Sequence, residues 1–231
     1  MPPRDELLRL SDEIVGCRAC PRLVAWREEV ARVRRRAYRD EPYWGRPVPG
    51  FGDAGAALLV LGLAPGAHGA NRTGRRFTGD GSGDFLYAAL HRAGLASSPV
   101  ARAREDGLRL SGAFGSNAAR CVPPGNRPAP AELEACAGFL RRELALVGPR
   151  AVLALGAIAW GAALDALAAA GHPLPRPRPR FAHGAELRLP GAFALVGSYH
   201  VSRQNTQTGR LTPAMFDAAL RRAVELAGSP R

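Results

Sequence analysis

Residues 56–63, Ala-Ala-Leu-Leu-Val-Leu-Gly-Leu, and the glycine-rich polar loop that follows them decide the fold. A run of small and apolar residues without polar alternation is typical of a parallel strand that is buried on both faces. Proline and glycine then open a long loop over residues 64–81, and a helix is predicted near residues 82–93. A buried strand, a loop and a helix in this order indicate an α/β protein.

The same alternation continues along the chain. Helices are predicted at 5–15, 22–38, 130–147, 156–170 and 212–226, and strands at 111–119, 150–155 and 193–199, with an edge strand at 181–189. This order predicts a three-layer α/β sandwich with a short, mainly parallel four-stranded sheet. We expect a single domain over residues 1–231, with residues 1–40 as an N-terminal helical extension that carries Cys17 and Cys20.

Three loops with unusual sequences follow predicted strands, at residues 64–81, 117–128 and 200–210. Ligands of open α/β sheets bind outside the carboxyl ends of the strands. We therefore expect these three loops to converge on one edge of the sheet and to form the active site there.

The composition narrows the possible partners. The 231 residues carry 32 basic and 20 acidic side chains, a formal net charge of +12, and every basic residue is arginine. Such an excess of positive charge favours a polyanionic partner, of which nucleic acid is the most common. A hydrophobic fraction of 46% excludes wholesale disorder, and no apolar stretch has the length of a membrane span. Since the N-terminus has no apolar leader, we expect a cytoplasmic protein without a membrane partner. We also expect a monomer.

Four cysteines, Cys17, Cys20, Cys121 and Cys136, are candidates for a metal site. A disulfide framework is not expected in a reducing compartment, and thiolates are soft ligands that favour zinc or iron–sulfur clusters. Structural zinc usually joins two close pairs, whereas the second pair here is spread over a proline-rich loop and the next helix. A cubane accepts ligands from such separate segments, so we favour a structural [4Fe–4S] cluster. Zinc and four unrelated buried thiols are the alternatives.

Two loops, taken with these cysteines, resemble a known family. Residues 62–80 read Gly-Leu-Ala-Pro-Gly-Ala-His-Gly-Ala-Asn-Arg-Thr-Gly-Arg-Arg-Phe-Thr-Gly-Asp, and residues 200–205 read His-Val-Ser-Arg-Gln-Asn. The combination resembles the iron–sulfur branch of the uracil-DNA glycosylase superfamily, in particular family 5, the B type. The resemblance extends from Cys17 to the final helix. It implies a DNA repair enzyme that flips uracil, and other deaminated bases such as hypoxanthine, out of DNA and hydrolyses the glycosidic bond.

The resemblance implies three catalytic residues. Asp80 would orient water or stabilise the positive charge on the sugar, and Asn126 would assist that water. His200 would donate a hydrogen bond to uracil O2 as negative charge develops there. Other branches of the superfamily carry a polar residue early in the first loop, but residues 62–67 offer none. An alternative for Asp80 is the N-cap of the helix that follows.

The resemblance also implies a pocket for the flipped base. Phe77 would stack on the base, and the amide of Asn117 would read its edge. Gly66, Ala67 and His68 would complete the lining. The structural alternatives are a core position for Phe77 and a turn for Asn117.

Further polar residues would contact the DNA. Ser202 would hold the backbone, and three residues after it would fill the space of the flipped base, namely Arg203, Gln204 and Asn205. The first loop would supply phosphate contacts through Arg72, Arg75 and Arg76.

Two other functions compete with the monofunctional glycosylase, which is expected to lack lyase activity because the chain has no lysine to form a Schiff base. One is a non-catalytic iron–sulfur module that binds damaged DNA, which the missing early carboxylate favours. The other is an iron–sulfur redox protein of another class.

Overall fold

The computed structural model describes residues 3–190 and 193–228, and within these ranges the strands form one six-stranded sheet. The strands are β1 (Phe51–Gly52), β2 (Leu58–Gly62), β3 (Ala113–Asn117), β4 (Ala151–Leu155), β5 (Glu186–Leu189) and β6 (Phe193–Ser198). Their order across the sheet is β1-β3-β2-β4-β6-β5, in which β1 and β5 are antiparallel edge strands. The four central strands are parallel, so the predicted fold class is confirmed. The edge strands widen the sheet to six, and β1 was not predicted.

Helices cover both faces of the sheet. They are α1 (Pro3–Gly16), α2 (Pro21–Val33), α3 (Ala70–Thr73), α4 (Gly81–Arg92), α5 (Pro130–Val147), α6 (Ala157–Ala169), α7 (Arg203–Gln207) and α8 (Pro213–Ala227). Apolar side chains of α4 and α8 pack on one face, and those of α5 and α6 pack on the other. These three layers explain why the central strands are apolar on both faces.

The register brings the carboxyl ends of the strands level. Gly62, the last residue of β2, pairs with Asn117, the last residue of β3. On the other side of β2, Leu155 at the end of β4 pairs with Ser198 at the end of β6. The loops after β2, β3 and β6 therefore leave the sheet at one edge, as predicted.

The N-terminal part differs from the prediction in one respect. Helix α2 ends at Val33, whereas the apolar spacing predicted a helix over residues 22–38. Arg34 adopts a left-handed φ of 56°, which an α-helix cannot contain, and a 3₁₀ turn follows at Arg36–Tyr38. The division into one domain with an extension over residues 1–40 stays a prediction.

None of the helices in the described parts of the chain combines the length and the apolar character that a membrane crossing requires.

A buried ion pair joins β3, the loop after it and helix α5. The Arg120 guanidinium donates to both Glu143 carboxylate oxygens, at 3.1 and 2.9 Å, and both side chains are almost fully buried. Ser116 donates its hydroxyl to the same carboxylate, and the Gly50 amide donates to it at 3.0 Å. Because the Glu143 carboxylate accepts hydrogen bonds from three segments of the chain, it fixes the position of α5 relative to the sheet.

We predict that Glu143→Ala lowers the free energy of unfolding by about 3–5 kcal/mol, because it leaves the Arg120 charge buried without a counter-charge. Urea unfolding at neutral pH measures the loss. The control is Glu134→Ala, which removes an exposed carboxylate from the same helix and should change stability by less than about 0.5 kcal/mol. Similar losses in the two variants would contradict this role of Glu143.

Candidate active site

A cleft of about 730 Å³ opens at the edge where the loops after β2, β3 and β6 meet. It is lined by all the residues that the sequence predicted as catalytic or base-binding, namely Gly66, Ala67, His68, Phe77, Asp80, Asn117, Asn126 and His200. Three of the predicted DNA contacts also line it, namely Ser202, Arg203 and Gln204. A second groove of about 490 Å³ between α5 and α6 is mainly apolar and shares no residue with the cleft.

The floor of the cleft depends on the absence of a side chain at Gly62. A Cβ atom at this position would lie 2.6 Å from Phe77 Cζ and 2.7 Å from Asn117 Oδ1. The Phe77 ring and the Asn117 amide therefore meet over the end of β2. Phe77 has a left-handed φ of 50° and is only partly buried, which leaves part of its ring accessible from the cleft.

The side chain of Asn117 places an oxygen atom without a hydrogen-bond partner at the floor of the cleft. The residue is 1% exposed, and its Oδ1 has no hydrogen-bond partner among the described residues. A buried amide without partners is costly, since burial removes it from water without replacing its hydrogen bonds. Such an atom at the bottom of a cleft is suited to bind a polar ligand.

Asp80 caps the helix that follows it, and its second carboxylate oxygen faces the first loop. Its Oδ1 caps α4 by accepting from the amides of Ser82 and Gly83, both at 3.0 Å. Its Oδ2 lies over the start of the first loop, where a Cβ at Gly69 would be only 1.9 Å away and one at Gly66 2.7 Å away. The carboxylate thus occupies the part of the loop where the sequence itself has no polar side chain.

Burial raises the pKa of Asp80, against the opposing effect of the Gly83 and Ser82 amides and of the more distant Arg72. The nearby carboxylate of Asp84 also raises it. Ionisation of Asp80 in the folded protein therefore costs free energy, as is common for carboxylates at functional sites.

His200 reaches the cleft from the end of β6. Burial lowers its pKa, which favours the neutral imidazole at pH 7. The Asn205 side chain donates to the His200 carbonyl at 2.8 Å, and Ser202 caps α7. Asn205 does not line the cleft, and its hydrogen bond to the His200 carbonyl supports the loop. Its predicted DNA contact stays a prediction.

Asn126 and His68 complete the polar lining. Asn126 is exposed and has a left-handed φ of 57° at the end of a short 3₁₀ turn. His68 Nδ1 lies 2.9 Å from the Tyr43 hydroxyl. Burial lowers the pKa of His68, with smaller contributions from Arg35 and Arg72.

The structure corrects the prediction for the arginines of the first loop. Arg72 is buried, forms an ion pair with Glu41 and donates to the carbonyls of His68 and Gly79, each at 2.8 Å. Its predicted phosphate contact does not fit this position, because every part of the guanidinium already has a partner.

The same correction applies to its two neighbours. Arg75 is 3% exposed and makes a bidentate pair with Asp106, at 2.7 and 2.6 Å. Arg76 is buried and donates to the Pro49 carbonyl at 2.8 Å, and burial lowers its pKa to about 9. Both arginines hold the loop from inside, and neither is free to contact phosphate.

The four cysteines line one small pocket, where the start of α2 meets the loop after β3 and helix α5. All four thiols are free. Within the described residues, no three side chains are placed close enough to bind a single metal ion. The four cysteines of the described chain thus share one pocket without forming a recognisable site for a single ion.

Arg27 is the charged neighbour of this pocket. It is 2% exposed, and its Nη1 donates to Cys121 Sγ at 3.0 Å and to the Cys17 carbonyl at 3.2 Å. Its Nε is buried without a partner among the described residues. Burial raises the pKa of Cys121 to about 11, while Arg27 opposes this shift. A buried guanidinium in this position is suited to a negatively charged group held by the cysteines.

Sequence reasoning missed three residues that form the rim of the cleft on its N-terminal side. Arg35 and Tyr38 line the cleft, and Tyr43 contacts His68. The predicted helix over residues 22–38 had assigned the arginines to its solvent side. In the sequence, the tyrosines among the charged residues after Val33 are the feature that could have indicated these rim residues.

Comparison with known proteins identifies the family. The sequence model described as "Uracil DNA glycosylase superfamily" matches residues 49–223, which is most of the chain. The chain belongs to the uracil-DNA glycosylase superfamily.

Individual relatives narrow this assignment. The "Type-5 uracil-DNA glycosylase" of Mycobacterium tuberculosis is 57% identical over 224 residues, covering 96% of this chain and 82% of that protein. The one of Thermus thermophilus is 56% identical over 218 residues, covering 93% and 95%. A "Type-4 uracil-DNA glycosylase" of Pyrobaculum aerophilum is 30% identical over 161 residues, covering 69% and 65%. Within the superfamily the chain is therefore of type 5, and the predicted resemblance is confirmed.

We predict that Asp80→Asn is at least as stable as the unchanged protein at pH 7, whereas Asp80→Ala loses about 1 kcal/mol. Asparagine caps a helix as well as aspartate but carries no buried charge. Folding raises the pKa of Asp80. The free energy of unfolding therefore falls as the pH rises from the ordinary pKa of an aspartate to the raised pKa in the folded protein. Urea unfolding of the three proteins at pH 7 tests this, and an Asn variant as unstable as the Ala variant would contradict it.

Proposed function

We propose that this chain excises uracil from DNA and leaves an abasic site, and that it also acts on other deaminated bases such as hypoxanthine. The observation that carries the proposal is the cleft itself, since residues from three separated segments meet there in the roles expected for a flipped base. The base would stack on Phe77 and place its polar edge against Asn117. The unpaired Oδ1 of Asn117 supports this placement, because uracil N3–H is a donor of matching chemistry.

The hydrolysis breaks the bond between the sugar C1′ and the base nitrogen. The bonding electron pair leaves with the base, and a water oxygen adds to C1′ with loss of a proton. Asp80 is the carboxylate that would orient this water and stabilise the positive sugar, through the Oδ2 that does not cap α4. Asn126, at the rim, would hold the same water.

His200 would act on the leaving group. A neutral imidazole still has one N–H, and donation to uracil O2 becomes stronger as negative charge gathers on the base. Its lowered pKa supports the neutral form as the working state. Asn205 would support the histidine through its carbonyl, and Ser202, Arg203 and Gln204 would contact the DNA around the extruded nucleotide.

The position of Asp80 weakens the argument for a non-catalytic DNA-binding module. That alternative depended on the lack of a polar residue early in the first loop. Asp80 reaches the same region from the end of the loop, next to Gly66 and Gly69. The chain has no lysine, which supports a monofunctional glycosylase without lyase activity. Its action as a cytoplasmic monomer remains a prediction.

We further propose that Cys17, Cys20, Cys121 and Cys136 hold a structural [4Fe–4S] cluster. The shared pocket and the guanidinium of Arg27 support it, and a cubane presents its iron atoms at separate corners rather than at one point. When bound, the cluster would supply a cross-link between α2, the loop that carries Asn126, and α5. Its role would be to fix these segments beside the cleft.

We predict that the unchanged protein releases uracil from a duplex with one uracil, and that Asp80→Asn lowers the single-turnover rate by about 10²–10⁴-fold. Since burial raises the pKa of Asp80, the rate of the unchanged protein should fall as the pH decreases through that raised value, because the carboxylate becomes protonated. Alkaline cleavage of the product strand measures excision. Asp217→Asn, which removes a carboxylate on α8 outside the cleft, is the control. Tight binding without strand breaks would favour the non-catalytic module.

We predict about four iron atoms and four sulfides per chain in protein purified without oxygen. Cys136→Ser should lose most of this iron, whereas Ala135→Ser, an exposed position on the same helix, should retain it. Metal analysis and the visible absorption spectrum measure both. One zinc per chain, or four thiols that all react with a thiol reagent in native protein, would contradict the cluster.

A further inference from the structure

Residues 34–39 form an exposed basic segment between α2 and the cleft. Its four arginines, Arg34, Arg35, Arg36 and Arg39, are all exposed. Within the part of the chain that the structure describes, none of the four forms an ion pair. The other exposed arginine nearby, Arg32, is paired with Glu29. The segment therefore presents positive charge that the protein itself does not neutralise.

The basic segment is fixed to the first loop of the cleft. The Arg35 amide donates to the Tyr43 hydroxyl at 3.3 Å, and this hydroxyl contacts His68. The Tyr38 ring lies under the guanidinium of Arg72, with its centroid 4.0 Å from Cζ. Arg72 thus supports the segment from inside, which gives a physical reason for its burial.

The 3₁₀ turn at Arg36–Tyr38 separates the side chains into two sets. Residues three apart lie above one another in a 3₁₀ turn. Arg35 and Tyr38 have this spacing, and both line the cleft. Arg36 and Arg39 have the same spacing on a neighbouring face, and neither side chain makes a hydrogen bond to any described residue.

The charges around the segment leave an excess of positive charge at this rim. Asp40 is exposed beside Arg39, and Glu41 is already paired with Arg72. Arg203, which is exposed, also lines the cleft. Arginines from two separate segments of the chain therefore border the cleft, as expected for a surface over which a phosphate backbone passes.

We propose that the basic segment is a DNA-backbone contact surface, in which Arg36 and Arg39 bind phosphates of the duplex beside the cleft. This inference rests on the proposed function, since it takes DNA as the polyanion. Such phosphate contacts fix the position of the protein on the DNA and do not read the base sequence. They replace those predicted for Arg72, Arg75 and Arg76, whose guanidinium groups are buried.

The salt dependence of DNA binding tests this surface, because each phosphate contact contributes about 0.9 to the slope of log K against log salt. The probe is a duplex with one tetrahydrofuran abasic-site analogue, bound to the full chain between 50 and 200 mM NaCl. The double variant Arg36→Gln/Arg39→Gln should lower the slope by about 2 and each single variant by about 1. At 100 mM salt the double variant should bind about 10-fold more weakly or worse.

The matched control is Arg141→Gln/Arg221→Gln, which removes two exposed arginines from α5 and α8, outside the cleft. Its slope should equal that of the unchanged protein, and Arg36→Lys/Arg39→Lys should restore most of the lost slope. An unchanged slope in the Gln double variant, or the same fall in the control, would overturn the inference. Failure of the proposed function is seen separately, as absence of excision by the unchanged protein.

Discussion

The site depends on close approach of side chains to backbone at Gly62 and Gly69. At Gly62 the missing side chain leaves room for the Phe77 ring and the Asn117 amide at the end of β2, and at Gly69 it leaves room for the Asp80 carboxylate. The parallel sheet makes this possible because it brings the ends of β2, β3 and β6 to one edge. An aromatic ring, an amide with an unpaired oxygen and a carboxylate can thus lie close to the backbone at these two glycines. Larger residues at these positions would displace Phe77, Asn117 and Asp80 from the places they occupy.

The cysteine pocket and the cleft are mechanically connected. Cys121 follows the strand that ends at Asn117, and Cys136 lies on the helix that Glu143 attaches to the sheet. On the other side, Cys17 and Cys20 precede α2, which leads directly into the basic segment. A group held by the four cysteines would therefore fix both the base-reading side of the cleft and its basic rim. With the proposed backbone contacts, residues 34–39 would bind DNA in addition to the part played by the cysteines.

The sequence predicted those features that depend on local pattern. The apolar run at β2 and the amphipathic spacing of α5 gave the sheet and its layers, and the loop motifs indicated which residues meet in the cleft. Predictions from the sequence were wrong where tertiary packing overrides the local pattern. Arg72 looks like a surface cation in a polar loop, yet it is buried because Glu41 and Tyr38, from a different segment, surround it. The left-handed turn at Arg34 ends α2 without glycine or proline to signal it. For Asp80, capping and catalysis had been set as alternatives, although the two oxygens of one carboxylate can serve both.

In the proposed complex, an extruded base lies between the Phe77 ring and the Asn117 amide, with residue 80 beside the sugar. A crystal structure of Asp80→Asn bound to a uracil-containing duplex tests it most directly, since this variant should bind without cleaving. We expect uracil outside the helix, stacked on Phe77, with its edge hydrogen-bonded to Asn117 and the side chain of residue 80 facing C1′. Uracil that stays paired within the duplex, or that lies away from both Phe77 and Asn117, would contradict it.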